Sequence, residues 1–225
     1  MNSDFINTLL LTGKLAGYTT AILFVLGLPI AYVLAYKRFW FKSLVEAMIS
    51  MPMVLPPTVL GFYMLVAYSP QHALGGFLEK HLDVRLAFSF EGVLLASVVF
   101  SLPFMIQPLQ NGLVAIPRSL REASYTLGKS EFTTFIKVLI PNMIPSIVTA
   151  LAMTFAHCIG EFGVVIMVGG NMPGETRVAS IAIYDEVQAL NYDVANQYSL
   201  VLFIISLAIL TVIYSYPQPL KGSNP

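Results

Sequence analysis

Arg118-Ser-Leu-Arg-Glu-Ala-Ser-Tyr-Thr-Leu-Gly-Lys-Ser-Glu-Phe-Thr-Thr-Phe-Ile-Lys-Val-Leu-Ile-Pro141 sets six charged side chains between two long apolar runs. Such an island has to sit in water, whatever surrounds the runs on either side of it. Glu122 and Ala123 fall in a short helical turn and Gly128 breaks that turn. The spacing to Pro141 leaves room for a second short helix before the chain turns apolar again. The stretch therefore reads as a structured aqueous loop, spanning about residues 114–141, between two buried helices.

The rest of the chain identifies what buries those helices. With 56% hydrophobic and only 11% charged residues, the chain has too little polar surface to enclose itself as a water-soluble globule. Five runs are free of Asp, Glu, Lys and Arg: Leu15–Tyr36, Ala47–Leu78, Gly92–Pro117, Val138–Gly160 and Val194–Leu220. Each exceeds the roughly 18–20 apolar residues that a helix needs to cross the hydrocarbon core. Backbone groups in lipid must be paired within their own segment, so the runs are helices, and they lack the short alternating segments of a β-barrel. The expected fold is all-α, a polytopic transmembrane bundle of five spans at about 8–36, 45–68, 89–113, 142–168 and 195–216. Residues 1–225 form one membrane domain, without an internal repeat or a second soluble unit.

Basic residues orient it. If the 114–141 loop faces the cytoplasm, the inner segments hold Lys37, Arg38, Lys42, Arg118, Arg121, Lys129, Lys137 and Lys221, eight of the twelve Lys and Arg. The opposite side holds Lys14, Lys80, Arg85 and Arg177 among eight acidic residues. The positive-inside rule then places the N-terminus outside and the C-terminus inside. Asp4 and the absence of a basic n-region argue against a cleaved signal peptide, so the first apolar stretch is kept as a span. Cys158, the single cysteine, excludes an internal disulfide and a cysteine-based metal cluster and reads as a small apolar residue in a helix interface. No metal or cofactor is expected. Pro217, Pro219, Gly222 and Pro225 suggest a short tail.

Two segments break the pattern of plain spans. Met51-Pro-Met-Val-Leu-Pro-Pro-Thr-Val-Leu-Gly61 places Pro52, Pro56 and Pro57 inside an apolar run, where each removes a backbone donor. Broken backbone at membrane depth is tolerated where it is buried in protein or lines a wet cavity. The segment is thus either a packing kink or a lining of a translocation path, with Thr58 bonding a freed carbonyl or offering its hydroxyl to an oxyanion. The second is His157-Cys-Ile-Gly-Glu-Phe-Gly163, whose Glu161 interrupts a charge-free stretch and costs about 2.5–3.5 kcal/mol on insertion scales if placed near mid-membrane. His157 lies four residues earlier, so the two are expected on one helical face with a shared hydrogen bond or proton open to them. Gly160 and Gly163 would let a neighbouring helix approach closely. Pro56, Pro57, Thr58, Gly160, Glu161 and Gly163 are the candidates for path or gate; for Glu161 the competing reading is a satisfied polar contact that sets helix register. The glycine- and proline-rich stretch after Gly169 reads as an outer loop followed by a short amphipathic helix over 177–190.

The island resembles the coupling loop of binding-protein-dependent ABC importer permeases, whose pattern is Glu-Ala-Ala, three residues, Gly, nine residues, Ile-x-Leu-Pro. Glu122, Ala123, Gly128 and Pro141 match; Ser124 stands where the second Ala is usual, and Val138 and Ile140 replace Ile and Leu. With the Pro-Pro segment and the Gly-Glu-Phe-Gly to Gly-Gly-Asn-Met-Pro-Gly-Glu-Thr stretch, the resemblance extends over about residues 8–214 and is nearest the molybdate and tungstate permeases, with sulfate permeases less similar. It implies a type I importer permease fold in a bacterial cytoplasmic membrane. It implies as partners two cytoplasmic ATP-binding subunits, an extracytoplasmic oxyanion-binding protein and a second copy of the chain, with Glu122, Ala123, Gly128 and Pro141 in the loop that docks the ATPase. It implies a transport subunit and not an enzyme, and no nucleic acid partner. Ala123-Ser-Tyr-Thr-Leu-Gly-Lys-Ser130 fits a relaxed phosphate-loop pattern, but a phosphate loop needs a strand before it, and the preceding Ile116-Pro-Arg-Ser-Leu-Arg is polar and helix-starting. A different class of function, a proton-coupled secondary transporter using Glu161 and His157, leaves the Glu122 to Pro141 spacing unexplained and lacks the inverted repeat common in that class.

Overall fold

The computed structural model describes residues 3–215. Lys221 and the tail from Pro217 to Pro225 lie outside the described residues, as does residue 216 at the end of the fifth expected span. Helices account for every regular element among the described residues: α1 (Ser3–Tyr36), α2 (Lys42–Ser50), α3 (Pro57–Tyr68), α4 (Ala73–Leu82), α5 (Phe90–Ala115), α6 (Arg118–Thr126), α7 (Glu131–Thr134), α8 (Ile140–Asn142), α9 (Ile144–Gly160), α10 (Gly163–Gly169), α11 (Ala179–Gln188) and α12 (Tyr192–Ser215). A 3₁₀ turn at Met51–Met53 follows α2, and a π turn at Phe135–Leu139 joins α7 to α8.

Local chemistry sets the breaks. Ser89 caps α5 by accepting a hydrogen bond from the Gly92 amide at 3.1 Å. Pro56 and Pro117 stand in extended conformation just ahead of α3 and α6, where a proline removes only donors that a helix start leaves unused. Asp83 adopts a left-handed conformation and ends α4. By contrast Pro29, Pro103 and Pro108 lie inside α1 and α5 without ending them.

Three helices, α1, α5 and α12, are each long and apolar enough to cross a membrane alone. The second expected span, 45–68, is a pair: α2 with its 3₁₀ turn meets α3 at a bend of 108°. The fourth, 142–168, is also interrupted: it is entered through a 74° bend ahead of α9, and the helix stops at Gly160 before resuming as α10. Counting each bent pair as one crossing gives up to five.

α1, α5 and α9 make the centre. Leu23, Ala31 and Leu34 of α1 pack with Met105, Ile106, Leu109 and Leu113 of α5 and with Ala150 of α9. Lipid is as apolar as leucine, so association rests on close packing between helices that present small residues. A Cβ on Gly27 would stand 3.0 Å from the Met105 side chain, and one on Gly112 would meet Ser146 at 2.5 Å. α12 lies at the periphery, burying only Ala195 and Tyr198 and exposing Phe203, Leu207 and Leu210.

Candidate translocation path and coupling surface

The two broken segments meet. α3 lies against α10, and the approach is close because glycine occupies both contact points. A Cβ on Gly163 would be 2.6 Å from the Pro57 Cβ, and one on Gly61 would be 2.7 Å from the Met167 Cβ. Beside this contact is a cavity of about 320 Å³ lined by Pro57, Phe100, His157, Gly160, Glu161 and Gly163. Pro57, Gly160, Glu161 and Gly163, more than a hundred residues apart in two groups, are thus brought to one place. Gly160 is exposed and a Cβ there would meet nothing. Pro56 and Thr58 are exposed at the same end of α3 but do not line this cavity.

Glu161 and His157 do not pair, contrary to the shared hydrogen bond that their spacing allows. Helix α9 ends at Gly160, and Glu161 adopts extended backbone with φ −71° and ψ 127°, so the four-residue helical register no longer holds where the carboxylate leaves the chain. The His157 ring instead stacks on Phe104, with centroids 3.9 Å apart, and lies 5.0 Å from Phe100. Glu161 is only 4% exposed, and neither of its carboxylate oxygens has a hydrogen-bond partner. Its backbone carbonyl accepts from the Ser180 hydroxyl of α11 at 2.6 Å.

Sequence reasoning missed the polar contacts that join α5 to α2. Gln107 donates to the Ser50 hydroxyl at 3.0 Å, and Gln110 donates to Glu46 at 2.8 Å. The signal was present, two glutamines and Asn111 in an otherwise apolar run, but their partners lie 57 and 64 residues away.

The 118–141 loop is a compact helical hairpin. Gly128 has φ +73° and closes α6 as a Schellman cap: its amide donates to Tyr125 O at 2.9 Å, and the Lys129 amide donates to Ser124 O at 3.1 Å. Ser124, the departure from the usual second Ala, is buried and shares a hydrogen bond of 2.8 Å with Thr134 across the hairpin. Ser130 caps α7 by accepting from the Thr133 amide at 3.2 Å. Glu122, Ala123, Gly128 and Pro141 are all exposed. Around them Leu127 is 76% and Phe132 74% exposed, with Leu120 and Tyr125 nearby in sequence and also exposed, which leaves an apolar knob on a polar loop.

α1 fastens this hairpin. Glu131 accepts from the Tyr32 hydroxyl at 2.7 Å and from Lys37 Nζ at 3.0 Å, and the Arg121 guanidinium lies 4.4 Å from the centre of the Tyr36 ring. The Tyr36 hydroxyl in turn donates to Leu113 O at the end of α5. The hydrogen bond from Tyr32, and then the hydrogen bond and charge of Lys37, hold the Glu131 carboxyl below the usual carboxylate range. A carboxyl so lowered contributes stability that is present above its unfolded-state value and is lost as pH falls through the folded-state value. We expect the protection of the α7 amides, taken as exchange relative to the intrinsic rate at each pH, to fall as the medium is acidified through and below the ordinary carboxylate range. A Glu131→Gln variant should lose that pH dependence; unchanged protection in the parent chain over that range would refute the anchor.

A family profile described as "Binding-protein-dependent transport system inner membrane component" matches residues 27–217. The molybdenum transport system permease protein ModB of Azotobacter vinelandii is 43% identical over 206 residues, 91% of each chain. A probable sulfate transport system permease protein, cysT of Nephroselmis olivacea, is 36% identical over 84% of this chain and 66% of its own. The fold matches a bacterial ABC transporter involved in the import of alginate with a TM-score of 0.77, covering 97% of this chain and 82% of that one at 16% identity.

Proposed function

We propose, from the premise that this chain belongs to the family of binding-protein-dependent transport system inner membrane components, that it conducts molybdate as the membrane-spanning subunit of an ATP-driven importer. It is a permease subunit and not itself an enzyme. The observation that carries the reading is the exposed apolar knob of Leu127 and Phe132, held on the Glu122-Ala123 to Gly128 hairpin and pinned to α1 through Glu131. A surface of this kind suits a soluble motor that pushes on the hairpin and so moves the spans joined to it. Identity of 43% to a ModB protein favours molybdate, and 36% to a cysT protein makes sulfate the second candidate.

In this reading the chain crosses the cytoplasmic membrane five times, N-terminus outside, and works as a homodimer with two ATP-binding subunits and an extracytoplasmic oxyanion-binding protein. Glu122, Ala123, Gly128 and Pro141 belong to the docking surface; Pro56, Pro57, Thr58, Gly160, Glu161 and Gly163 belong to the path or its gate. None of the five charge-free runs contains a Lys or Arg. A dianion passing them would be stabilised weakly, by hydroxyls, amides and helix N-termini, and would be released readily. Selectivity then resides mainly in the delivering protein.

The test is uptake of labelled molybdate and sulfate into vesicles holding the chain, its ATP-binding subunit and its binding protein. Molybdate should accumulate only with ATP and all three components, and excess sulfate should compete poorly. Accumulation by the chain alone, driven by a proton gradient, would overturn the importer reading. Preferential accumulation of sulfate would overturn molybdate while leaving the importer intact.

A further inference from the structure

We propose that Glu161 is a proton-binding site, carried as a neutral carboxylic acid that positions the joint between α9 and α10 against the Ser97 hydroxyl of α5. The carboxyl is 4% exposed, neither oxygen has a partner, and none of the ion pairs among the described residues involves it. An ionised carboxylate in that setting has lost its hydration without gaining a counter-charge, a state that buried groups resolve by taking up a proton.

What surrounds it is hydroxyl-rich. The Ser97 hydroxyl of α5 lies beside the carboxyl, although outside hydrogen-bond geometry. Close to the same place the Cys158 thiol is 3.2 Å from Ser101 Oγ and neighbours Thr19 of α1. The hydroxyls of Thr19 and Ser97 are completely buried, and neither has a partner. Hydroxyls both donate and accept, an ionised carboxylate only accepts, and a carboxylic acid does both. A neutral Glu161 can therefore donate to or accept from the Ser97 hydroxyl, whichever way that hydroxyl turns. Of the elements packed here, α1 presents Thr19, α5 presents Ser97 and Ser101, α11 presents Ser180, and α9 presents Cys158 with His157 one residue before it; the last two are the titratable neighbours.

The position gives the proton a role. Glu161 sits where α9 stops, its carbonyl is tied to Ser180, and it borders the cavity shared with Pro57 and Gly163. A neutral acid holds this joint without placing a negative charge next to a path for dianions, and it acts there as a positioning residue.

Two arms test this. In the first, which rests on the importer reading, Glu161→Gln, which stays neutral and can still donate and accept, should lose several-fold less ATP-driven oxyanion uptake than Glu161→Leu. Glu161→Leu, which can neither donate nor accept a hydrogen bond at the joint, should lower uptake about tenfold or more at equal membrane abundance. Equal loss in Glu161→Gln and Glu161→Leu would mean that the ionised form is needed, and full activity of Glu161→Leu would mean that the site does nothing; either result overturns the proposal. The second arm needs no transport and no variant that must fold: infrared spectra of the parent chain labelled with ¹³C-carboxyl glutamate should show a protonated-carboxyl band that persists at neutral pH. Its absence overturns the assignment, whereas a parent chain that has the band but takes up no oxyanion would count against the importer reading alone.

Discussion

Gly128→Val abolishes ATP-driven oxyanion uptake while the chain remains in the membrane at the abundance of the parent. The cause is conformational. Gly128 has φ +73°, and a Cβ there would meet nothing within the chain, so crowding inside the fold plays no part. A left-handed conformation costs a residue with a side chain about 1–2 kcal/mol, and more for a β-branched one, which is enough to unseat two cap hydrogen bonds on an exposed loop. Those bonds, from the amides of Gly128 and Lys129 to Tyr125 and Ser124, aim Leu127 outward and lead into the Ser130 cap of α7. Their loss displaces the knob from the motor without disturbing the apolar spans. Gly128→Asn separates the turn from the docking surface, because asparagine tolerates the left-handed region and should keep a substantial part of the uptake. Parental uptake in Gly128→Val, with abundance measured by immunoblot, would sink the role of the hairpin.

Gly163→Val is the second substitution with a large expected effect, and Gly160→Ala is its control. A Cβ at 163 stands 2.6 Å from the Pro57 Cβ, well inside the roughly 3.5 Å at which carbon atoms sit comfortably. The ring of Pro57 cannot swing aside as a flexible side chain would, so α3 must part from α10. Overpacking of this kind costs about 1–3 kcal/mol, and charged to only one of two alternating arrangements of the spans it would lower uptake about tenfold or more. Gly160 belongs to the same break but a Cβ there meets no neighbour, so an alanine there should cost no packing and lower uptake far less than Gly163→Val. Indistinguishable uptake in the two variants would show that the α3–α10 contact does not move or does not matter.

Much of the site was legible in order but not in arrangement. The prolines at 52, 56 and 57 announce a broken helix because each lacks an amide, and the chain does break there, by 108°. Likewise Gly128, placed after a short helical run, announces a left-handed cap. Glu161 was visible as a charge where none belongs, yet its spacing from His157 suggested a partner that it does not have. Spacing implies contact only while the helix continues, and α9 stops one residue too early. The anchor of the hairpin was beyond reach for another reason: Tyr32 and Lys37 lie 99 and 94 residues from Glu131, and nothing local in either segment names the other.

By itself the order of residues determined the solvent of each segment, since the length of an apolar run and the place of a charge settle what may lie in lipid and what must lie in water, independent of any neighbour. It also announced the Gly128 turn and the break at Pro52, Pro56 and Pro57, because glycines and prolines act over a few residues, but not the stop of α9 at Gly160. Tertiary structure alone decided which breaks face each other, that Pro57 rests on Gly163, and that Glu161 is buried at the end of α9 without pairing with His157. In a bundle whose helices are apolar all round, no stripe on the sequence marks the inward face, and only the fit of small residues against large ones selects it.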